Sequence, residues 1–266
     1  MNLIIPRDYN PVLNTRDTEI AIKLVKDFFE RELAKALNLV RVSAPIMVTP
    51  QSGLNDNLNG VERPVSFDIL ETGETAEIVQ SLAKWKRLAL RDYGFQPGEG
   101  LYTDMNAIRR DEVTDNIHSI FVDQWDWERI LGPDERNEAM LRSVVEKIYA
   151  TLRATEEYVC AHYPHITPEL PEHIAFVTTQ ELEDRYPDKT AKEREYLATK
   201  EHGAVFLMGI GGALRSGKIH DGRAPDYDDW TLNGDILLYY KPLDIALEVS
   251  SMGIRVNPEA LKRQLA

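Results

Sequence analysis

The stretch His118-Ser-Ile-Phe-Val-Asp-Gln-Trp-Asp-Trp-Glu-Arg129 is dense in β-branched and aromatic residues and lacks Gly and Pro, so it reads as a β-strand. Strand side chains alternate, which places Ile120, Val122, Gln124, Asp126 and Glu128 on one face and Phe121, Trp125 and Trp127 on the other. Carboxylates on an inner sheet face are costly unless cations, hydrogen-bond donors or a ligand meet them. Two descriptions fit: an edge strand whose polar face is wet, or the floor of a binding cleft. The tryptophans favour the cleft, because they imply that the opposite face is packed.

On either side of this strand the chain alternates helical and extended patterns. Arg16 to Leu37 carries apolar residues at helical spacing, and Val40 to Val48 reads as a strand that Pro45 confines to a sheet edge or an interface. The Asn/Asp/Gly-rich Gln51–Gly60 is a loop in which Asp56 reads first as a turn-former. Val65–Leu70 and Ala76–Val79 form a hairpin, and Ser81 is placed to cap the helix Leu82–Arg91, where Lys84, Lys86, Arg87 and Arg91 stand out. An extended piece from Leu101 ends at Arg109. That residue either lies above the Gln124/Asp126 face, where it would meet a phosphate or carboxylate, or pairs with Asp111 or Glu112.

Further on, Asp134 to His162 is helical, Ile174 to Val177 is a short strand, and Thr178-Thr-Gln-Glu181 has the capping-box pattern. A charged helix spans Thr190 to Glu201, and the apolar run Ala204–Ile210 reads as a buried strand. Gly209-Ile-Gly-Gly212 lacks the Lys-Ser/Thr of a phosphate loop and the full GxGxxG spacing, so it reads as a tight turn. Arg223–Trp230 is an acidic loop of a kind that binds amines or metals, although solvated loops look alike. Ile236–Tyr240 and Ala246–Val249 are the last strands.

Composition limits the function classes. Hydrophobic residues make up 43% of the 266 residues, and 44 acidic against 31 basic residues give a net charge of -13. That balance speaks against a surface that grips nucleic acid or an anionic membrane. One cysteine, Cys160, allows no internal disulfide, and there is no membrane-spanning run or signal-peptide pattern, so the expectation is a cytoplasmic protein. With no repeat, low-complexity tract or linker, residues 1–266 are expected to form a single domain.

Eight stretches, in order, resemble the aspartate–ammonia ligase family, the A-type asparagine synthetases, which are built like class II aminoacyl-tRNA synthetase catalytic domains. They are Asp56–Gly60, Ser81–Arg87, Gly98–Thr103, His118–Arg129, Gly203–Gly212, Arg223–Trp230, Leu232–Ile236 and Glu248–Val256. The resemblance implies an α+β fold with an antiparallel sheet flanked by helices, and a homodimer formed through the first helix and the Pro45 strand. It also implies ATP-driven conversion of aspartate and ammonia to asparagine through a β-aspartyl adenylate, releasing AMP and pyrophosphate. By resemblance, Arg109 and His118 meet ATP, and Asp235 and Glu248 face ATP and its Mg²⁺. Lys86 and Gln124 grip a carboxylate of aspartate, Ser81, Asp126 and Asp228 take its ammonium, and Ser251 also binds substrate. Asp56 lies near the ammonia site, so that Asp56, Arg109 and Gln124 form the catalytic set; Glu128 has no assigned role. The family continues past the position of Ala266 with a Gly-rich strand and an arginine-bearing helix, so the chain is expected to be truncated at its C-terminus. A dimeric amino-acid-binding homologue without ATP chemistry is the alternative, and a relative acting on tRNA is a third reading that the acidic charge disfavours.

Overall fold

The computed structural model describes residues 3–56, 58 and 61–266. Its elements are α1 (Thr15–Leu37), β1 (Leu39–Arg41), β2 (Met47–Val48), β3 (Ser66–Asp68), β4 (Thr75–Ile78), α2 (Ala83–Asp92), β5 (Gly100–Ile108), β6 (Phe121–Arg129), α3 (Glu138–His162), β7 (Ala175–Thr178), α4 (Thr179–Arg185), α5 (Ala191–His202), β8 (Ala204–Met208), β9 (Asp228–Tyr240), β10 (Ile245–Arg255) and α6 (Pro258–Gln264). The chain divides into two compact units, one of Glu30–Pro133 with the N-terminal residues through Arg7, the other of Asp8–Phe29 with Asp134–Ala266.

In the first unit, β5 pairs parallel with β1 and antiparallel with β6, while β4 lies between β2 and β3 in a small antiparallel sheet. The expected strand Val40–Val48 is therefore two short strands in two sheets. Pro45, which has no N–H to give a ladder, sits in the break between them. One face of β5 supplies Leu101, Met105 and Ala107 to the core, where α2 adds Ala89, Leu90 and Trp85, with Leu82 just before its first turn. Val122 of β6 packs on that cluster, so α2 covers the Val122/Gln124/Asp126/Glu128 side of the ladder. This corrects the expectation that the tryptophan side is the packed one: Phe121 is 56% exposed, and Trp125 and Trp127 are only half-buried.

In the second unit, β10, β9, β8 and β7 form one sheet in that order, antiparallel except for the β7–β8 pair. Every residue of β8 is buried, as its unbroken apolar run predicts. Val205, Leu207 and Leu237 pack with Leu182 of α4 and Ala198 of α5. The capping box expected at Thr178/Glu181 starts α4, and a second one at Thr190/Glu193 starts α5. The Gly209–Gly212 segment is a turn. Gly211 has φ 110, and a Cβ there would stand 2.6 Å from the Trp230 indole, so only glycine fits.

Two boundaries differ from expectation. The acidic segment at Asp228 is the start of the long strand β9, which is continuous to Tyr240, and β10 runs on to Arg255. Asp228 and Asp229 can occupy a strand because Arg255, Arg136 and Arg263 neutralise them. The C-terminal helix α6 was not expected, although Asn257 caps it through Ala260 N and Pro258 fills its first turn.

Candidate active site

The polar row on β6 meets a cation from α2. Lys86, 1% exposed, donates to Asp126 and to the Trp127 carbonyl at 3.1 Å, and its Nζ lies 4.0 Å from Glu128 Oε2. A buried ammonium is tolerable only with such partners. The periodicity of α2 accounts for this placement. Leu82, Lys86, Ala89 and Leu90 fall on the buried side, so the lysine leaves the helix toward the sheet.

Gln124, opposite Met105 in the β5–β6 ladder and two residues from Asp126, stays exposed. Ser81 precedes rather than occupies the helix cap; Leu82 is the N-cap, and Ser81 Oγ accepts from Ala83 N at 3.2 Å. Gln80 beside it was missed from the sequence. It is buried, and neither atom of its side-chain amide has a hydrogen-bond partner among the described residues. Its backbone N–H donates to Asn55 Oδ1 at 2.9 Å.

Arg109 follows β5, and its backbone N–H donates to Ile120 O at 2.8 Å. Its Nε is buried without a partner among the described residues. The pairing with Asp111 that the sequence left open does not form. Arg63 takes that carboxylate through Nε at 2.9 Å and Nη2 at 2.5 Å, and holds the Asp111 carboxyl down at about 2. Asp56 Oδ1 accepts from Leu58 N at 3.2 Å, the turn geometry first read for it. His118 Nδ1 lies 2.9 Å from Asp115 Oδ1 on the surface.

In the second unit Asp235 and Ser251 are register partners across β9 and β10. A bulge at Val249, between the Glu248–Leu237 and Ser250–Ile236 pairs, turns Glu248 onto the same face as Ser251, which uninterrupted alternation would forbid. Gly234 lets β9 approach β8 closely here; a Cβ at that position would stand 2.3 Å from Leu207 O. Arg223 Nη2 lies 2.5 Å from Asp235 Oδ2 and 3.5 Å from Ser251 Oγ.

Burial pushes the Asp235 carboxyl up, opposed chiefly by the Arg223 charge. The Ser251 hydroxyl comes near enough to ease that charge, but Asp235 Oδ1 completes no hydrogen bond among the described residues. Desolvation, then the negative field of Asp235, pushes Glu248 up to about 7. Glu248 still presents surface to water, which screens both effects. No cluster of three or more metal-ligating side chains occurs among the described residues. Two adjacent carboxylates, each pushed up by burial, are a donor set that a hard divalent cation and phosphate oxygens can complete.

The structure thus brings Lys86 and Asp126 together, and Asp235, Glu248 and Ser251 together. Asp228 stands apart from that second group, at 2.5 Å from Arg255 Nη1, with the Arg255 guanidinium stacked 3.7 Å over the Tyr227 ring. The sequence reading missed Arg223 as the partner of Asp235 and Glu195 as a buried group, since both lie in charged stretches that look solvated.

A sequence model of the aspartate-ammonia ligase family matches residues 16–266. An aspartate–ammonia ligase of Clostridium perfringens (strain SM101 / Type A) is 64% identical over 264 residues, covering 99% of this chain and 79% of that protein. One from Ruminiclostridium cellulolyticum is 62% identical over 265 residues, with the same coverage of each chain. Among solved structures, asparaginyl-tRNA synthetase from Pyrococcus horikoshii, complexed with asparaginyl-adenylate, superposes with a TM-score of 0.65 at 15% identity over 94% of this chain and 57% of its own. The Entamoeba histolytica asparaginyl-tRNA synthetase gives 0.61 at 12% identity over 94% and 56%. At such identity the likeness concerns the fold, which is that of class II aminoacyl-tRNA synthetases.

Proposed function

The chain belongs to the aspartate–ammonia ligase family, and on that premise we propose how its residues carry out the reaction. The protein is an enzyme that makes L-asparagine from L-aspartate and ammonia at the expense of ATP. In the proposed course a β-carboxylate oxygen of aspartate attacks the α-phosphorus of ATP and pyrophosphate leaves. Ammonia then attacks the β-carbonyl carbon of the aspartyl adenylate, loses a proton, and AMP departs with the electrons of the carbon–oxygen bond.

Aspartate brings two anionic groups and one cation, so its pocket needs both signs side by side. The observation that carries this reading is Lys86, buried against Asp126 on the strand that also presents Gln124. In the first unit Lys86 and Gln124 hold a carboxylate while Ser81 and Asp126 serve the ammonium side; in the second, Asp228 takes an ammonium and Ser251 binds substrate. For Asp228 the ammonium must share a carboxylate with Arg255. Asp56 lies near the entering ammonia. Arg109, with an uncommitted buried Nε, faces the phosphates and steadies the charge that builds on them, and His118 contributes to the nucleotide site. Asp235 and Glu248 would hold Mg²⁺ beside ATP; Mg²⁺ neutralises phosphate charge and commonly uses one or two carboxylates together with the nucleotide. The free Asp235 Oδ1 and the raised Glu248 carboxyl fit that use.

Exposed apolar residues on and beside β1 and β2, among them Val40, Ile46 and Met47, support a homodimer. The acidic balance and single cysteine support a cytoplasmic enzyme without nucleic-acid or membrane partners. No helix among the described residues is long and apolar enough to cross a membrane.

The test is asparagine formation from aspartate, ammonium and ATP, with ¹⁸O in the β-carboxylate. Asparagine accompanied by ¹⁸O in AMP is expected. Label in inorganic phosphate would overturn the adenylate, and no asparagine with all three substrates present would overturn the assignment to this chain.

A further inference from the structure

The loop that delivers Arg223 to Asp235 is fastened at a residue that touches neither. His220 is buried, and its Nε2 lies 3.0 Å from Glu195 Oε1. A carboxylate only accepts, so Nε2 carries the hydrogen and donates. Nδ1 is buried without a partner among the described residues, so Glu195 is the ring's hydrogen-bonding anchor.

Glu195 is itself a firm support. It stands one turn before Ala198, which packs against Val205, Leu207 and Leu237, and its Oε2 receives Lys192 Nζ at 3.0 Å. The neighbouring Arg194 is tied through Nε to Tyr186 O at 2.9 Å and through Nη2 to Pro187 O at 3.1 Å. Before His220, an isolated bridge between Ala213 and Ile219 closes the loop. After it, Arg223 folds back on its own segment, with Nη1 donating to Gly222 O at 3.0 Å and lying 3.5 Å from Asp221 Oδ2, while Nη2 reaches Asp235. Two residues separate the anchor from Arg223, so displacing one end displaces the other.

We propose that His220 is a positioning residue for the nucleotide site: by mooring on Glu195 it fixes the Asp221–Arg223 loop so that the Arg223 guanidinium lands on Asp235. This rests on reading Asp235 and Glu248 as the groups that face ATP. Arg223 Nη2 lies 2.5 Å from Asp235 Oδ2, so the guanidinium sets positive charge against Asp235 and its neighbour Glu248. Glu195 also contributes negative field to both. A wandering Arg223 would leave that acidic cluster uncompensated.

His220→Phe keeps a ring and removes the donor, while His220→Gln restores a donor near the Nε2 position. ATP affinity with Mg²⁺ present is read by calorimetry without aspartate, on the wild type, on both variants and on Arg223→Ala alone and with H220F. H220F is expected to weaken ATP about tenfold with the KM for aspartate within about twofold, and H220Q to recover most of the loss. On the R223A background H220F should add nothing. Unchanged ATP affinity in H220F, an additive loss with R223A, or H220Q as poor as H220F would each overturn the proposal. His220→Leu replaces H220F in the same cycle if that variant does not fold. Hydrogen exchange over Asp221–Arg223 without ligand separates this idea from the functional reading. If the wild type binds no ATP, the nucleotide assignment of Asp235 fails, yet faster exchange in H220F than in H220Q still supports the mooring and equal exchange overturns it.

Discussion

The Lys86 ammonium is closed against the Asp126 carboxylate, inside the first unit, where a helix side chain meets the polar face of β6. Glu128, the residue with no assigned role, gives that cation a second carboxylate at 4.0 Å. Lys86 is therefore held in place before any substrate arrives.

Removing the lysine leaves Asp126 and Glu128 without their cation in a buried setting, which typically costs about 3–5 kcal/mol. Lys86→Ala should lose unfolding free energy on that scale in urea melts, together with aspartate binding. A loss under about 1 kcal/mol would show that water already compensates the two carboxylates.

Arg109 behaves differently, because its Nε has no partner to lose among the described residues. Arg109→Ala should lower kcat about 10²–10³-fold, the usual effect of deleting one group that stabilises transition-state charge, while the melting temperature hardly moves. Large destabilisation with activity retained per folded molecule would assign the residue to the scaffold instead.

Gln80 tests whether a buried amide is kept for a ligand. An unpartnered buried amide costs roughly 1–3 kcal/mol, so Gln80→Met, similar in volume and without that penalty, should raise stability by about 1–2 kcal/mol. If the amide serves the pocket beside Ser81, the gain should come with a higher KM for aspartate. A more stable variant with unaltered KM values would remove Gln80 from the site.

Glu248 should make the ligand-free enzyme sensitive to pH. Its carboxyl is raised from 4.5 to about 7 in the folded chain, so folding favours the protonated form. Stability from this group is fully present below pH 4.5 and is lost as pH rises toward 7. Melting scans of wild type and Glu248→Gln across that range should show the wild type losing ground relative to the variant as pH rises. Parallel curves would mean that Glu248 titrates as an ordinary surface carboxylate.

Much of the fold could be read from local pattern. Alternation put Gln124, Asp126 and Glu128 on one face of β6, and the Thr178/Glu181 capping box opens α4. Both are set by side-chain period or by hydrogen bonds three residues apart, so the information sits within one element. The split at Pro45 and the run of β9 through Asp228 were misjudged because they depend on which strand or cation lies across the gap.

The sequence by itself determined most of the elements and the family. Tertiary structure decided the charges' partners: Arg136 reaches Asp229 from 93 residues away, and Arg63, rather than Arg109, claims Asp111. It also decided that a bulge at Val249 carries Glu248 to the face of Asp235 and Ser251. The reason is physical. Backbone periodicity is a property of neighbours along the chain, whereas Coulomb and hydrogen-bond energies depend on distance through space, which only the packed sheet and its helices set.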